Sequence, residues 1–365
     1  MLKFLYETAF GRLILKGLTA PGLSRAVGHF LDTKLSCIFI KPFVRNNGIN
    51  LDDYYSDNFT CFNDCFCRRV KEDRRPVDMD PSVLVAPCDG LLSAYEITDG
   101  LVVPVKQSRY SIADLLGGGL DAPEASGAFD ASENSGAADV SEGSKVADSS
   151  EGSKVADPSE GSKVADSSEA ARKLAAEFDG GLCLVFRLCV DNYHRYHYFD
   201  DGSKGRNVFI PGRLHTVRPI ALRNLPVFVE NSREYTVMDT VNFGRTVQME
   251  VGAMLVGKIA NNHEEHEFKR GEEKGCFLYG GSTVILLLKR NPDSSATGAG
   301  SSSGANSSSE ANSSSGANSS SEANSSSGAT IHLDEPFLAN TLAGIETPVK
   351  MGQRIGVKAP AESKH

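Results

Sequence analysis

A serine behind two glycines, Gly280-Gly281-Ser282-Thr283, opens the apolar run Val284-Ile285-Leu286-Leu287-Leu288. Such a run, bounded by turn residues, predicts a buried strand. At its entrance the glycines carry no side chains, so the serine hydroxyl and the peptide bond before it are unshielded. Far away in the chain lies Tyr193-His194-Arg195-Tyr196-His197, whose histidines can act as a base near neutral pH. Pro87-Cys88-Asp89-Gly90 adds an aspartate in a tight turn. Serine, histidine and aspartate are the parts of an acyl-transfer constellation. The outcome depends on whether Ser282 attacks a substrate or its own backbone. Each part has a plainer reading when taken singly. Two histidines three apart can flank a strand as ordinary polar residues, and Gly-Gly-Ser-Thr and Asp-Gly are turn signals.

The elements that must position these groups read as α+β. The segment before the polar stretch Asn46 to Asp57 is helical in pattern. From Val83 onward the pattern is mostly strands: 101–105, 182–188, 227–229, 246–251 and 283–288. No helical period alternates with them, which argues against a doubly wound sheet. The expected architecture is a helical N-terminal segment on a largely antiparallel β core.

Two low-complexity inserts interrupt this pattern, at about 118–172 and 293–328. The first carries Glu-Gly-Ser-Lys-Val-Ala-Asp-(Ser/Pro)-Ser three times, from Glu142, Glu151 and Glu160, and the second alternates Ser-Ser-Ser-Gly-Ala-Asn with Ser-Ser-Ser-Glu-Ala-Asn. Neither holds enough apolar residues for a core, so both are expected to be disordered loops without a catalytic role. The 365 residues suffice for one large domain or two small ones, and removing the inserts leaves a core of about 270.

The formal net charge of -9 belongs to the first insert, since residues 119–170 alone sum to -9. Residues 1–46 carry +5, with Lys3, Arg12, Lys16, Arg25, Lys34, Lys41 and Arg45 among Phe4, Phe10, Leu13, Ile14, Phe30, Ile38 and Phe39. That mixture suits an interfacial helix on anionic lipid, and equally an amphipathic helix packed on its own core. No run of 18 apolar residues suggests a spanning helix, and no export signal is indicated. Reduced cytosolic thiols are therefore expected for the eight cysteines. Cys61, Cys65 and Cys67 lack a second knuckle for zinc and read as small buried hydrophobes. His263-Glu264-Glu265-His266 has the wrong spacing for a zincin helix and reads as a solvated face. No metal and no nucleic-acid partner are expected.

Ten ordered motifs resemble those of the phosphatidylserine decarboxylase proenzymes of prokaryotic type. They are Phe62-Asn63-Asp64-Cys65-Phe66 with Arg68 and Arg75-Pro76; Ala86-Pro87-Cys88-Asp89-Gly90; Tyr110-Ser111 with Leu115-Leu116-Gly117; Tyr193–His197 with Asp201-Gly202; Gly212 with Thr216-Val217 and Pro219; Asn231 with Arg233; Val251-Gly252-Ala253 with Val256-Gly257; Gly271-Glu272-Glu273-Lys274-Gly275; Gly280–Thr283; and Asn340-Thr341 through Glu346-Thr347 to Val349-Lys350-Met351-Gly352. The likeness runs from about residue 40 to 358, apart from the inserts.

The resemblance implies self-cleavage followed by decarboxylation. Ser282 would attack the Gly281 carbonyl, His197 would take the hydroxyl proton, and Asp89 would orient the imidazole. β-Elimination would leave chains 1–281 and 282–365, with Ser282 converted to a covalent pyruvoyl cofactor. That ketone would form a Schiff base with the amine of phosphatidylserine and accept the electrons left by CO2. His194 would assist decarboxylation or protonation, giving phosphatidylethanolamine. A division follows into a membrane-associating segment, 1–50, and a decarboxylase domain, 51–365. The implied partners are phosphatidylserine in the bilayer, an anionic membrane surface on the cytoplasmic face, and the paired α and β chains, with homo-oligomers also compatible. One departure stands out: the family usually has aspartate where Asn192 stands, with Asp191 one residue earlier. A Ser-His-Asp hydrolase and an idle phospholipid-binding relative are the competing readings. The missing G-x-S-x-G elbow counts against the first, and the intact Asp89, His197 and Ser282 against the second.

Overall fold

The computed structural model describes residues 2–56, 58–99, 101–105, 108–118, 160–254, 258–278, 282–289 and 330–359. Gly280, Gly281, the second insert and the first insert up to residue 159 lie outside these residues.

The N-terminal segment is helical, as its pattern predicts: Leu2–Glu7, Ala9–Leu18, Pro21–Leu31, a 3-10 stretch Lys34–Phe39, and Ile40–Asn46. Thr8 caps the second helix, its hydroxyl accepting from Gly11 N at 3.0 Å. Pro21 begins the third, where its missing N–H is no loss. Gly11 is required at its position, because a Cβ there would lie 1.9 Å from Phe4 O. Leu5, Tyr6 and Leu15 pack into the main core. Tyr6 Oη accepts from Thr216 N at 3.2 Å. The opposite surface leaves Phe10, Leu13, Leu35 and Ile38 more than 60% exposed. The reading as an amphipathic segment packed on its own core therefore holds for the face that carries Leu5, Tyr6 and Leu15. Among the described residues, no helix is long and apolar enough to cross a membrane.

The β core is antiparallel throughout its named strand pairs. Among the described residues the largest sheet has eleven strands. Its centre runs in the order Arg233–Thr240, Gly244–Val251, Ser282–Leu288, Leu182–Leu188, Gly90–Thr98. Every residue of Ser282–Leu288 is buried. This explains the unbroken apolar run, since a strand covered on both faces has no polar side to alternate with. A three-stranded sheet is formed by Lys258–Asn261, Glu273–Leu278 and Arg195–His197, and another by Val83–Val85, Arg354–Lys358 and Ile331–Leu333.

Two expectations are corrected. Val227–Val229 is not a strand; it lies in the one-turn helix Val227–Glu230, which starts behind Pro226. Three apolar residues fit a buried turn as well as a strand, and the sequence pattern could not separate them. The first insert also ends earlier than 172, because a helix spans Glu160–Ala176 and includes the third repeat copy. Its last turns are rich in Ala, Leu, Glu, Arg and Lys, all good helix formers. Ala171 and Ala175 are buried in the core, and Lys173 pairs with Glu169 at 3.3 Å. Ser168 Oγ donates to Gly118 O at 2.8 Å, so the two ends of the insert meet. A segment that leaves and returns at one point can lengthen with little strain on the fold.

Candidate active site

Ser282 is the first residue of its strand and pairs with Leu188. It is fully buried, and its Oγ has no hydrogen-bond partner among the described residues. Such an orphaned hydroxyl costs free energy, and a catalytic role is one reason for a fold to keep it. Thr283 sits between Arg187 and Val251 in the register, which fixes the strand on both sides.

Asp89 directly precedes the strand Gly90–Thr98, which lies on the far side of Leu182–Leu188 from Ser282. Leu91 pairs with Arg187 there, one register step from the Ser282–Leu188 pair. Asp89 and Ser282 therefore stand at the same end of the sheet, with the end of one strand between them. Gly90 permits this approach, as a Cβ there would lie 3.1 Å from Arg187 O.

His197 arrives from the other sheet. It ends the strand Arg195–His197, and its backbone N–H donates to Pro87 O at 2.8 Å, two residues from Asp89. Its ring lies 5.8 Å from that of Tyr193. Burial pushes its pKa down to about 4, against the opposing pull of the Glu273 and Asp89 carboxylates. The imidazole is thus neutral at pH 7 and available as a base. Nδ1 has no partner among the described residues. Among those residues no hydrogen bond joins His197 to Asp89 or Ser282. The fold brings the three groups to one end of the sheet without a closed relay.

Instead, the Asp89 carboxylate is held by Arg75, a residue whose role the sequence did not reveal. Arg75 Nε donates to Oδ1 at 2.8 Å and Nη2 to Oδ2 at 2.6 Å, while Met351 N donates to Oδ1 at 2.9 Å. This two-pronged grip fixes the plane of the carboxylate. Lysine cannot reproduce it. Arg75→Lys is expected to slow any His197-dependent step by on the order of tenfold, the equivalent of one charge-assisted hydrogen bond. The rate of chain cleavage in freshly translated protein measures this.

His194 is buried under Phe66, with ring centroids 4.1 Å apart, and its Nδ1 lies 2.9 Å from Asn192 O. Asn192 itself keeps its loop closed, as its Oδ1 accepts from Cys189 N at 2.7 Å. An aspartate would make the same contact, so the substitution preserves the loop. Asp191 is exposed and contributes its backbone carbonyl, which accepts from Arg68 Nη2 at 2.6 Å.

A buried charge network occupies the Ser282 face of the central sheet. Glu250 pairs with Val284, so it shares a face with Ser282. Lys274 Nζ donates to Glu250 Oε1 and Oε2 at 2.9 and 2.8 Å and to Asn261 Oδ1 at 2.8 Å. Asn261 Nδ2 donates in turn to Glu234 at 2.6 Å. Lys274 and Glu250 are both fully buried. The sequence motif contained Lys274 but gave no hint of its partner.

A family profile for phosphatidylserine decarboxylase matches residues 62–304. The chain belongs to the phosphatidylserine decarboxylase family. Among curated relatives, "phosphatidylserine decarboxylase proenzyme 2" of Clostridium acetobutylicum is 34% identical over 97% of this chain and 91% of its own length. The proenzymes of Clostridium perfringens and Clostridium botulinum are 31% and 30% identical, each over 92% of this chain and 85% and 84% of their own lengths. In this phosphatidylserine decarboxylase family member, Asp89, His194, His197 and Ser282 all fall within the matched span.

Proposed function

We propose that the chain cleaves itself before Ser282 and then decarboxylates phosphatidylserine to phosphatidylethanolamine. The observation that carries this reading is the buried Ser282 Oγ, without a hydrogen-bond partner among the described residues, at the sheet end where Asp89 stands and where the His197 backbone meets Pro87. In the first step Ser282 Oγ attacks the Gly281 carbonyl while neutral His197 takes its proton. Asp89, fixed by Arg75, favours the imidazolium that results. The peptide bond is exchanged for an ester, and β-elimination then releases residues 1–281 with a free carboxylate. Residue 282 is left as dehydroalanine, which takes up water and loses ammonia to become a pyruvoyl group.

The residues around position 282 leave a place for that group, since Leu188, Phe186 and Val284 flank it and the Ser282 Oγ it would replace has no hydrogen-bond partner among the described residues. When formed, it supplies a carbonyl for the substrate amine and a sink for the electrons that CO2 leaves behind. His194, oriented by the Asn192 carbonyl and covered by Phe66, is the proton donor for the α-carbon. Purified enzyme given phosphatidylserine labelled in its serine carboxyl should release labelled CO2. Hydroxylamine, a carbonyl reagent, should stop it, whereas a serine-directed acylating probe should not. The reverse sensitivity would favour a Ser-His-Asp hydrolase.

Residues 1–50 serve as the membrane-facing segment, and 51–365 as the decarboxylase domain. The support is the exposure of Phe10, Leu13, Leu35 and Ile38 in a segment that also carries Lys3, Arg12 and Lys16. Leu5, Tyr6 and Leu15 belong to the core, so deleting the segment would damage the fold. Point variants are the cleaner test. Leu13→Asp or Leu35→Asp should each weaken binding to anionic vesicles by about tenfold or more, from the loss of one buried leucine side chain. Vesicle co-sedimentation with unchanged affinity would return these residues to a soluble surface.

A further inference from the structure

The turn that the sequence marks as a solvated face gains a third donor in the structure. His263 and His266 stack their rings with centroids 3.9 Å apart and planes 12° apart. Glu272, from the following turn, reaches His266 Nε2 with Oε1 at 2.6 Å. One ligand atom from each of the three residues falls within 4.8 Å of the other two. Tetrahedral ligands at about 2.0–2.2 Å from a zinc ion sit closer together, and an imidazole holds an ion in its own plane, so binding would turn one of the two rings out of the stack and replace the His266–Glu272 hydrogen bond.

The surroundings hold this arrangement in place. The His263 carbonyl accepts from buried Lys204 Nζ at 2.6 Å and from Asn207 Nδ2 at 3.0 Å. The second oxygen of Glu272 accepts from Lys269 N at 3.0 Å. These contacts fix the backbone that carries His263 and the plane of the Glu272 carboxylate, as outer partners do in metal sites. The site is partly exposed, which leaves an entry path and a fourth position for water.

We propose that His263, His266 and Glu272 bind one divalent transition cation of the zinc class. Two imidazoles and one carboxylate suit zinc better than calcium or magnesium, which take oxygen ligands. The bound cation would tie the turn between Lys258–Asn261 and His266–Phe268 to the turn before Glu273–Leu278. Tyr198 N donates to Glu272 O at 2.9 Å, so the tether lies next to the segment that carries His197.

The test uses tag-free, full-length protein stripped with a chelator. Titration calorimetry with zinc should give one ion per chain. His266→Ala should weaken binding by at least about tenfold, as losing a ligand should cost no less than losing an outer partner. Glu267→Gln, an exposed neighbour outside the trio, should leave it unchanged. Cobalt titration should give visible bands of nitrogen and oxygen ligation without thiolate charge transfer. Three results would each overturn the proposal: no stoichiometric zinc, binding retained in the His263→Ala/His266→Ala protein, or a thiolate band pointing to the cysteines.

Discussion

Ser282→Ala should yield one uncut chain of 365 residues with no decarboxylase activity. Alanine has no oxygen to attack the Gly281 carbonyl, so the block is complete rather than partial. His197→Ala should slow cleavage by about a hundredfold to ten-thousandfold, the usual range for a positioned base. The two variants separate nucleophile from base, because only the second leaves a slow residual reaction. The pH dependence follows from the burial of His197. Its pKa of about 4 keeps it neutral, so cleavage should hold its rate from neutral pH down to about 5 and fall as pH passes 4. The same shift acts on stability. The unfolded chain takes up a proton between about pH 6.5 and 4 that the folded chain refuses, so stability falls as pH drops through that window. Time courses of cleavage by gel, with acid unfolding followed by circular dichroism, measure both.

Lys274→Met is expected to be the most destabilising single change outside the reacting residues. It strands Glu250 as an unpaired charge with no exposure to solvent. Breaking such a pair costs about 3–5 kcal/mol. A domain has only about 5–15 kcal/mol in total, so the loss is a large share. The double variant Lys274→Met/Glu250→Leu removes both charges and should recover most of the stability, because apolar replacements of similar volume are often neutral. Asn261 keeps Glu234 as a partner in that protein. Urea unfolding midpoints test the ordering: single variant lowest, double variant near the parent. A double variant as weak as the single would mean that the pair contributes more than mutual neutralisation.

Some of this was legible in the sequence for identifiable reasons. The unbroken apolar runs Leu182–Phe186 and Val284–Leu288 lie in central strands covered on both faces, which leaves no polar side to alternate with. The N-terminal helices show as apolar residues at helical spacing with basic residues between them. Short elements were not legible. Val227–Val229 is apolar in a helix turn as it would be in a strand, and the start of Glu160–Ala176 is hidden because a repeat unit continues into it. The candidate residues Asp89, His197 and Ser282 were marked by type and by motifs shared with the family, but their placement at one end of the sheet depends on register. No sequence pattern links Asp89 to Arg75 across the chain, Glu250 to Lys274, or Glu272 to the two histidines before it. These contacts join turns, or strands of different sheets, at separations of 14, 24 and 6 residues that match no helix or strand period.

The central claim is that Ser282 breaks the chain and becomes the cofactor. Intact mass of freshly expressed protein under denaturing conditions tests it most directly. Two species are expected, residues 1–281 and residues 282–365, the smaller lighter than its encoded mass by one ammonia. A single species at the mass of all 365 residues would contradict it, as would a smaller chain that begins with unmodified serine.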